Sequence, residues 1–139
     1  MLSNLFFGVI TMQRHLAVFR EPFLSLIFSG AKTMESRFSN LKCAPYERVA
    51  VNDVVVLKKT GSLVVGEFTV SDIMFFDLRE TPIAILDRYL SSLAIDKNSM
   101  FWQVAKNKRY VSLMWIRDVK RYESPYSYPK KDRRGWILL

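Results

Sequence analysis

The chain has 139 residues, of which half are hydrophobic, so it is long enough for one well-filled core and too short for two comfortable ones. Its 21 Lys and Arg residues against 13 Asp and Glu residues give a formal net charge of +8, which favours anionic partners, nucleic acid first among them. The single cysteine, Cys43, excludes an internal disulfide and a zinc site built from thiolates, and a cytoplasmic location is expected.

The first twelve residues are apolar. They lack the basic segment that opens a signal peptide, and the polar run at residues 13–15 ends the apolar stretch well short of a membrane span. We therefore expect no membrane association. We interpret residues 1–12 as an apolar N-terminal extension that is either poorly ordered or packs on the core as a lid, and residues 13–139 as a single domain.

The first half of the chain predicts strands around one short helix. Residues Arg14 to Phe19 alternate as a strand. A helix is expected between Glu21 and Ser29, because Pro22 suits its first turn and Gly30 suits the left-handed position just past its end. Three further strands are indicated at residues 33–38, 53–59 and 63–73, the last two joined by a tight turn at residues 60–62.

The second half predicts two more helices and two more strands. Thr81 is expected to cap a helix that has Pro82 at its first position and ends near Ala94, and Asn98 or Ser99 is expected to cap a short helix through residue 105. Strands are indicated at residues 109–116 and 136–139. Short strands with helices inserted at two points favour an α+β fold, a small mixed β-barrel of about five to six strands with two to three short helices.

Large aromatic side chains and the lone histidine are interpreted as structural. Trp102, Trp115 and Trp136 lie at helix and strand positions and are expected in the core. His15, the only histidine, is expected to be satisfied by a hydrogen bond rather than to act in catalysis. With no second histidine and no cysteine cluster, we expect neither a metal site nor a cofactor.

One charged motif interrupts this apolar pattern. Gly30-Ala31-Lys32-Thr33-Met34-Glu35-Ser36-Arg37 follows the first helix, and strand alternation places Thr33, Glu35 and Arg37 on one face, with Lys32 at the corner. Two cations this close repel each other unless an anion or a carboxylate lies between them. Either Glu35 is a structural counter-ion, or Lys32 and Arg37 bind phosphate while Glu35 accepts a hydrogen bond from a base amino group or a ribose hydroxyl. Both alternatives stay open together.

The spacing glycine, any residue, lysine, two residues, glutamate, any residue, arginine resembles the signature of ASCH domains, small relatives of the PUA RNA-binding fold. The resemblance extends over residues 13–139. It implies a PUA-like barrel that binds RNA or a nucleotide and takes part in RNA metabolism, with DNA as an open alternative and the oligomeric state undetermined.

The C-terminal tail supports the same prediction. Tyrosines interleaved with lysines and arginines form a composition that stacks bases while neutralising a phosphate backbone; the alternative is a solvated loop whose tyrosines pack on the barrel. The complete set of predicted ligand-binding residues is Lys32, Thr33, Glu35, Arg37, Arg48, Tyr126, Tyr128, Lys130, Lys131 and Arg133.

An enzymatic alternative also follows from the resemblance. Some proteins that resemble this family hydrolyse acylated nucleosides with a lysine at the position of Lys32, a threonine nucleophile three residues later and a distant glutamate. Here the second position is Glu35, and a carboxylate does not replace a hydroxyl nucleophile, while Thr33 projects to the other face from Lys32. RNA cleavage is the other option, with Lys32 or Arg37 stabilising the phosphorane and Glu35 as base. Lys32 and Glu35 are catalytic candidates only if the protein is an enzyme.

Overall fold

The computed structural model describes residues 12–139, so the apolar N-terminal extension predicted for residues 1–12 lies outside the described residues except for Met12. The elements follow in the order β1 (Arg14–Phe19), α1 (Phe23–Ser29), β2 (Met34–Ser39), β3 (Val54–Lys59), β4 (Val64–Asp77), a 3-10 helix (Ile83–Tyr89) that continues into α2 (Leu90–Leu93), α3 (Met100–Ala105), β5 (Tyr110–Tyr126) and β6 (Trp136–Leu138). No helix among residues 12–139 has the length and apolar character needed to cross a membrane.

Six strands form one curled, mixed sheet in the order β2-β5-β4-β3-β1-β6. Strands β1 and β3 are parallel, and the other neighbours are antiparallel. The register of β4 against β5 shifts at three places, and bulges of this kind increase the local twist and bend a sheet. The predicted α+β class, the strand number and the short helices are confirmed.

The hydrophobic core lies on two sides of this sheet. One cluster packs Leu24 and Ile27 of α1 against the concave centre around Phe68. The other places Leu93 and Trp102 of the helical segment against β5. Trp102 and Trp136 are buried, as predicted. Trp115 is half-buried at the edge of the second cluster, with its ring edge-on to Tyr89.

Local signals placed the first helix and the end of the second, near Ala94, correctly, but not how the second begins. Gly30 ends α1 with φ 84°, as expected for the left-handed position. Thr81, however, makes no capping hydrogen bond, because Pro82 is extended (φ −60°, ψ 143°) and the first helical turn after it is a 3-10 helix. Ser99, the alternative cap named for α3, accepts a hydrogen bond from the Trp102 amide.

Strands β4 and β5 are longer than their sequence pattern predicted. β4 continues to Asp77 instead of residue 73, and β5 continues to Tyr126 instead of residue 116. The distal half of β5 is exposed and carries no alternating apolar face, so its strand conformation comes from pairing with β4, as between Gly66 and Arg121. Tyr126 is therefore part of a strand, not of a flexible tail.

Replacement of Gly66 by alanine is expected to destabilise the fold by about 2 kcal/mol, because a methyl group there has no free volume. An added Cβ would overlap the carbonyl oxygen of Lys120 and lie 2.8 Å from the ring of Phe28, the α1 residue that packs onto β4. Gly135 is the matched control, since an added Cβ there would make only an ordinary van der Waals contact, 3.4 Å from an Arg37 nitrogen. Urea unfolding of both variants tests this, and equal midpoints would contradict the close approach.

Candidate functional site

The charged motif lies where α1 turns into the edge strand β2. Gly30 ends the helix, and the Lys32 amide then donates to Leu26 O at 2.9 Å, which turns the chain back toward the sheet. β2 pairs only with β5, so its other edge stays open toward β1 and β6. The motif residues therefore occupy the gap between the two edges of the curled sheet.

Glu35 joins the two cations of the motif. Its Oε1 lies 3.2 Å from Lys32 Nζ, and its Oε2 accepts from Arg37 Nε at 2.8 Å. The three groups form an ion-paired network (Lys32, Glu35 and Arg37) in which Lys32 and Glu35 are buried, at 2% and 5% exposure, and Arg37 is partly exposed. The counter-ion alternative stated from the sequence describes this geometry, and the network still lines a cleft.

Lys32 occupies an apolar environment for a charged group. Besides Glu35, its ammonium donates to Leu93 O at 2.6 Å and lies 5.1 Å from the centre of the Phe23 ring. Burial lowers the pKa of Lys32, Glu35 opposes that shift, and the Arg37 charge adds to it. Of the three ammonium donors, two have protein partners, which leaves one for a group in the cleft.

Arg37 bridges the gap between β2 and the opposite edge of the sheet, which we name the seam. Its Nη2 donates to Val18 O of β1 at 2.9 Å, and its Nη1 donates to Gly135 O, just before β6, at 3.2 Å. The guanidinium also lies over the rings of Phe19 and Trp136, 4.6 and 5.2 Å from their centres. Arg37 thus links β2 to the opposite sheet edge, and three of its five donors are already used.

A series of buried hydrogen bonds links Trp136, His15 and Asp53 beside this seam. Trp136 Nε1 donates to His15 Nδ1 at 3.0 Å, and His15 Nε2 lies 2.8 Å from Asp53 Oδ2. Because an indole N–H only donates, Nδ1 must accept, so the proton of the neutral imidazole is on Nε2 and is donated to Asp53. The expectation that His15 is satisfied by hydrogen bonding agrees with these contacts.

A cleft of about 340 Å³ opens above the ion-paired network. Its walls come from α1, β2 and α3 and include the rings of Phe23, Phe38 and Phe101; the last lies 5.2 Å from Phe23 and 6.2 Å from Phe38 between ring centres. Arg20 and Lys108 also line it. We name this site the aromatic cleft. Sequence reasoning missed its three phenylalanines. The one signal that could have indicated the cleft was Phe101, a large apolar residue at an exposed position of a helix.

A second concavity of about 520 Å³ adjoins the first and shares Val18, Arg20 and Arg37 with it. Lys58, Lys130 and Arg133 are among the other lining residues, and we name it the basic pocket. Of the predicted tail residues, Lys130 and Arg133 line this pocket rather than the aromatic cleft. Sequence reasoning did not single out Arg20 or Lys58.

The remaining predicted ligand residues lie outside the aromatic cleft. Thr33, Arg48 and Lys131 are exposed and line neither concavity. Tyr126 stacks on Tyr122, with centroids 6.1 Å apart, and Tyr128 packs on the Val54 and Val56 cluster of the outer sheet face. For Tyr128 the contacts therefore match the alternative in which tail tyrosines pack on the barrel. Within residues 12–139, no three His, Cys, Asp or Glu side chains come together in a metal-binding arrangement.

Comparison with known proteins bears on the fold. The sequence matches no protein-family profile and no curated protein. The chain is similar to the crystal structure of ASCH from Zymomonas mobilis, with a TM-score of 0.66 and 15% sequence identity over 91% of this chain and 87% of that chain. A serine-to-alanine mutant of that protein gives a TM-score of 0.67 and 14% identity over 91% of this chain and 87% of that chain. A tyrosine-to-phenylalanine mutant gives a TM-score of 0.66 and 15% identity over 91% of this chain and 89% of that chain. The chain therefore has the fold of an ASCH domain, a PUA-like architecture, as its charged motif predicted.

Proposed function

We propose that the protein binds single-stranded RNA, with one nucleobase in the aromatic cleft. The observation that carries the proposal is the combination of three phenylalanine rings with a buried, ion-paired set of donors and acceptors in one opening. Unstacked bases are recognised in this way, by stacking on aromatic side chains and by hydrogen bonds to their edges. A cleft of about 340 Å³ falls within the usual range for small-molecule sites.

The roles within the motif differ from those suggested by the sequence. Arg37 uses one donor on Glu35 and two across the seam, so it is a positioning residue for Glu35 rather than the main phosphate ligand. Each Glu35 oxygen accepts one protein donor, and a carboxylate has about four lone-pair sites, so it retains capacity for a base N–H. Lys32 retains one donor for a base carbonyl oxygen. We therefore assign recognition of the base edge to Lys32 and Glu35.

The charge of the chain supports a polyanionic ligand. The basic pocket begins at the rim of the aromatic cleft, because both share Arg20 and Arg37. A strand whose base enters the cleft therefore has cations beside its backbone. This arrangement favours an RNA segment over a free base, and it is consistent with the net charge of +8.

Replacing Phe101 by alanine is expected to weaken binding of a short fluorescein-labelled RNA by about 1 to 3 kcal/mol, roughly 5- to 150-fold, through loss of one stacking surface. Fluorescence anisotropy at about 50 and about 200 mM salt measures this, and the affinity of both proteins should fall with salt. Phe101 is 40% exposed, so its removal leaves the core intact.

Met100 provides the matched control for Phe101. It precedes Phe101 in α3, is 76% exposed and does not line the aromatic cleft. Met100→Ala should bind like the parent. The proposal is wrong if the parent does not bind RNA at low salt, or if the two alanine variants bind equally well.

A second candidate, a hydrolase acting on acylated nucleosides or RNA, has one observation in its favour. Burial lowers the pKa of Lys32 inside the aromatic cleft, and perturbed pKa values are common among catalytic groups. Against it, the hydroxyl of Thr33 lies outside the cleft. Product analysis with N4-acylated cytidines and with short RNA decides the question: turnover by the parent that is lost in Lys32→Ala would replace the binding-only proposal.

A further inference from the structure

The basic pocket contains a lysine whose ammonium has no partner among residues 12–139. Lys58 is 9% exposed, and within residues 12–139 its ammonium makes neither an ion pair nor a hydrogen bond. Every other buried charged side chain described, such as Lys32, Glu35 and Asp53, has its partners. No buried side-chain nitrogen among the described residues lacks a hydrogen bond, so the stem of Lys58 is buried while its ammonium is accessible. It is therefore free to bind an anion in the pocket that it lines.

The residues around Lys58 add further positive charge to the pocket. The residue ends the outer face of β3, next to Val18 of β1 and at a register shift against β4. Arg20 and Arg133 line the same pocket and also have no acidic partner among the described residues. The one carboxylate in the lining, Asp132, is already bound by Arg134 and Lys130. The pocket therefore has a surplus of positive charge.

We propose that the basic pocket is a phosphate subsite in which Lys58 is the principal ligand and Arg20 and Arg133 are flanking cations. This inference rests on the proposed function, because the pocket adjoins the aromatic cleft through Val18, Arg20 and Arg37. The phosphate it receives is the diester next to the base in the cleft. The ligand is consequently a strand or a phosphorylated nucleotide, and an unphosphorylated nucleoside binds far more weakly.

Lys58→Met tests the subsite because methionine retains the apolar stem and removes only the charge. The neighbouring exposed residue supplies the control, Lys59→Met, on the same strand. For a short RNA, Lys58→Met should weaken binding about tenfold and reduce the slope of log affinity against log salt by about 0.7, the value for one phosphate contact on a single strand. Lys59→Met should change neither quantity appreciably.

Inorganic phosphate provides a readout that does not depend on RNA. Thermal unfolding in a phosphate-free, low-salt buffer should show Lys58→Met to be at least as stable as the parent, since the ammonium makes no ion pair within residues 12–139 and lies among other cations. Added phosphate should raise the midpoint of the parent and of Lys59→Met, and leave Lys58→Met unchanged. A lysine with a purely structural role gives the opposite result, a variant that is less stable at every phosphate concentration.

The outcomes separate the two proposals. If the parent binds RNA, and Lys58→Met and Lys59→Met match it in affinity and salt slope, the subsite is overturned and the proposed function stands. If phosphate stabilises the parent through Lys58 but no RNA binds, the subsite stands and the proposed function fails. Stabilisation of all three proteins to the same extent by phosphate overturns the subsite.

Discussion

Glu35→Gln is expected to destabilise the folded protein by about 3 to 5 kcal/mol, the cost of breaking a buried ion pair from one side. The carboxylate accepts from Lys32 with one oxygen and from Arg37 with the other. An amide offers one acceptor oxygen and an NH₂ group, so one of the two cations then faces a donor. Chemical unfolding monitored by circular dichroism measures the loss.

A double-mutant cycle separates this interaction from ordinary packing effects. In Lys32→Met the carboxylate keeps its Arg37 partner, so the lysine variant should lose less stability than Glu35→Gln. The double variant should be more stable than the sum of the two single losses predicts, because the amide no longer opposes an ammonium. Strict additivity, or a loss below about 1 kcal/mol for Glu35→Gln, contradicts the network.

The stability of Glu35→Gln should also depend on pH in a defined direction. Burial already lowers the pKa of Lys32 below its usual 10.5, and Glu35 is the group that opposes this shift. In the variant the folded protein therefore binds fewer protons than the unfolded chain over a wider range below pH 10.5. Stability rises with pH where the unfolded state binds more protons, so the deficit relative to the parent should shrink as the pH approaches 10.5.

Asp53→Ala is the other substitution with a large expected effect, about 3 to 5 kcal/mol, because it leaves one buried and two partly buried donors without an acceptor. Asp53 accepts from the Gln13 and Ala50 amides at 3.1 and 2.9 Å and from His15 at 2.8 Å. His15 in turn accepts from Trp136, whose ring lies beside Arg37. Loss of Asp53 should therefore loosen β6 as well, which amide hydrogen exchange of Trp136 to Leu138 measures.

Asp53→Asn is the graded control for this prediction. Its single oxygen can replace Oδ2, which serves both His15 and Ala50, while the NH₂ group opposes the Gln13 amide. The asparagine variant should lose about half as much stability as the alanine variant. Equal losses, or an alanine variant within about 1 kcal/mol of the parent, would mean that the chain from Asp53 to Trp136 does not support the seam.

The motif was readable from sequence because its chemistry is local. Alternation along β2 placed Glu35 and Arg37 on one face, and Gly30 indicated the turn that brings Lys32 beside them. The counter-ion arrangement was one of the two alternatives that this spacing left open, and the ion pairs at 3.2 and 2.8 Å agree with it. The prediction that Lys32 and Arg37 bind phosphate directly did not anticipate Val18 O and Gly135 O, which are distant in sequence and already occupy the Arg37 guanidinium.

The aromatic cleft and the basic pocket were beyond the reach of sequence reasoning. Phe23, Phe38 and Phe101 come from three separate elements, and each is an ordinary apolar residue in its own segment. Lys58 ends an apolar β-branched run and looks like a solvated terminus, but the fold places it in a pocket with residues of the C-terminal tail. Residues far apart in sequence acquire a shared role only through packing, which no local pattern encodes.

The amino-acid sequence alone determined the elements whose signals are short-range, β1, α1, α3 and β6, together with the charged motif and the fold class. Turn residues, helix caps and strand alternation act within a few positions of the chain, so they can be recognised without knowledge of tertiary contacts. Tertiary structure decided the length of β5, which exists as a strand because β4 pairs with it. It also decided how Arg37 closes the sheet and why Lys58 lacks a counter-charge, since both depend on contacts between segments that only the folded chain brings together.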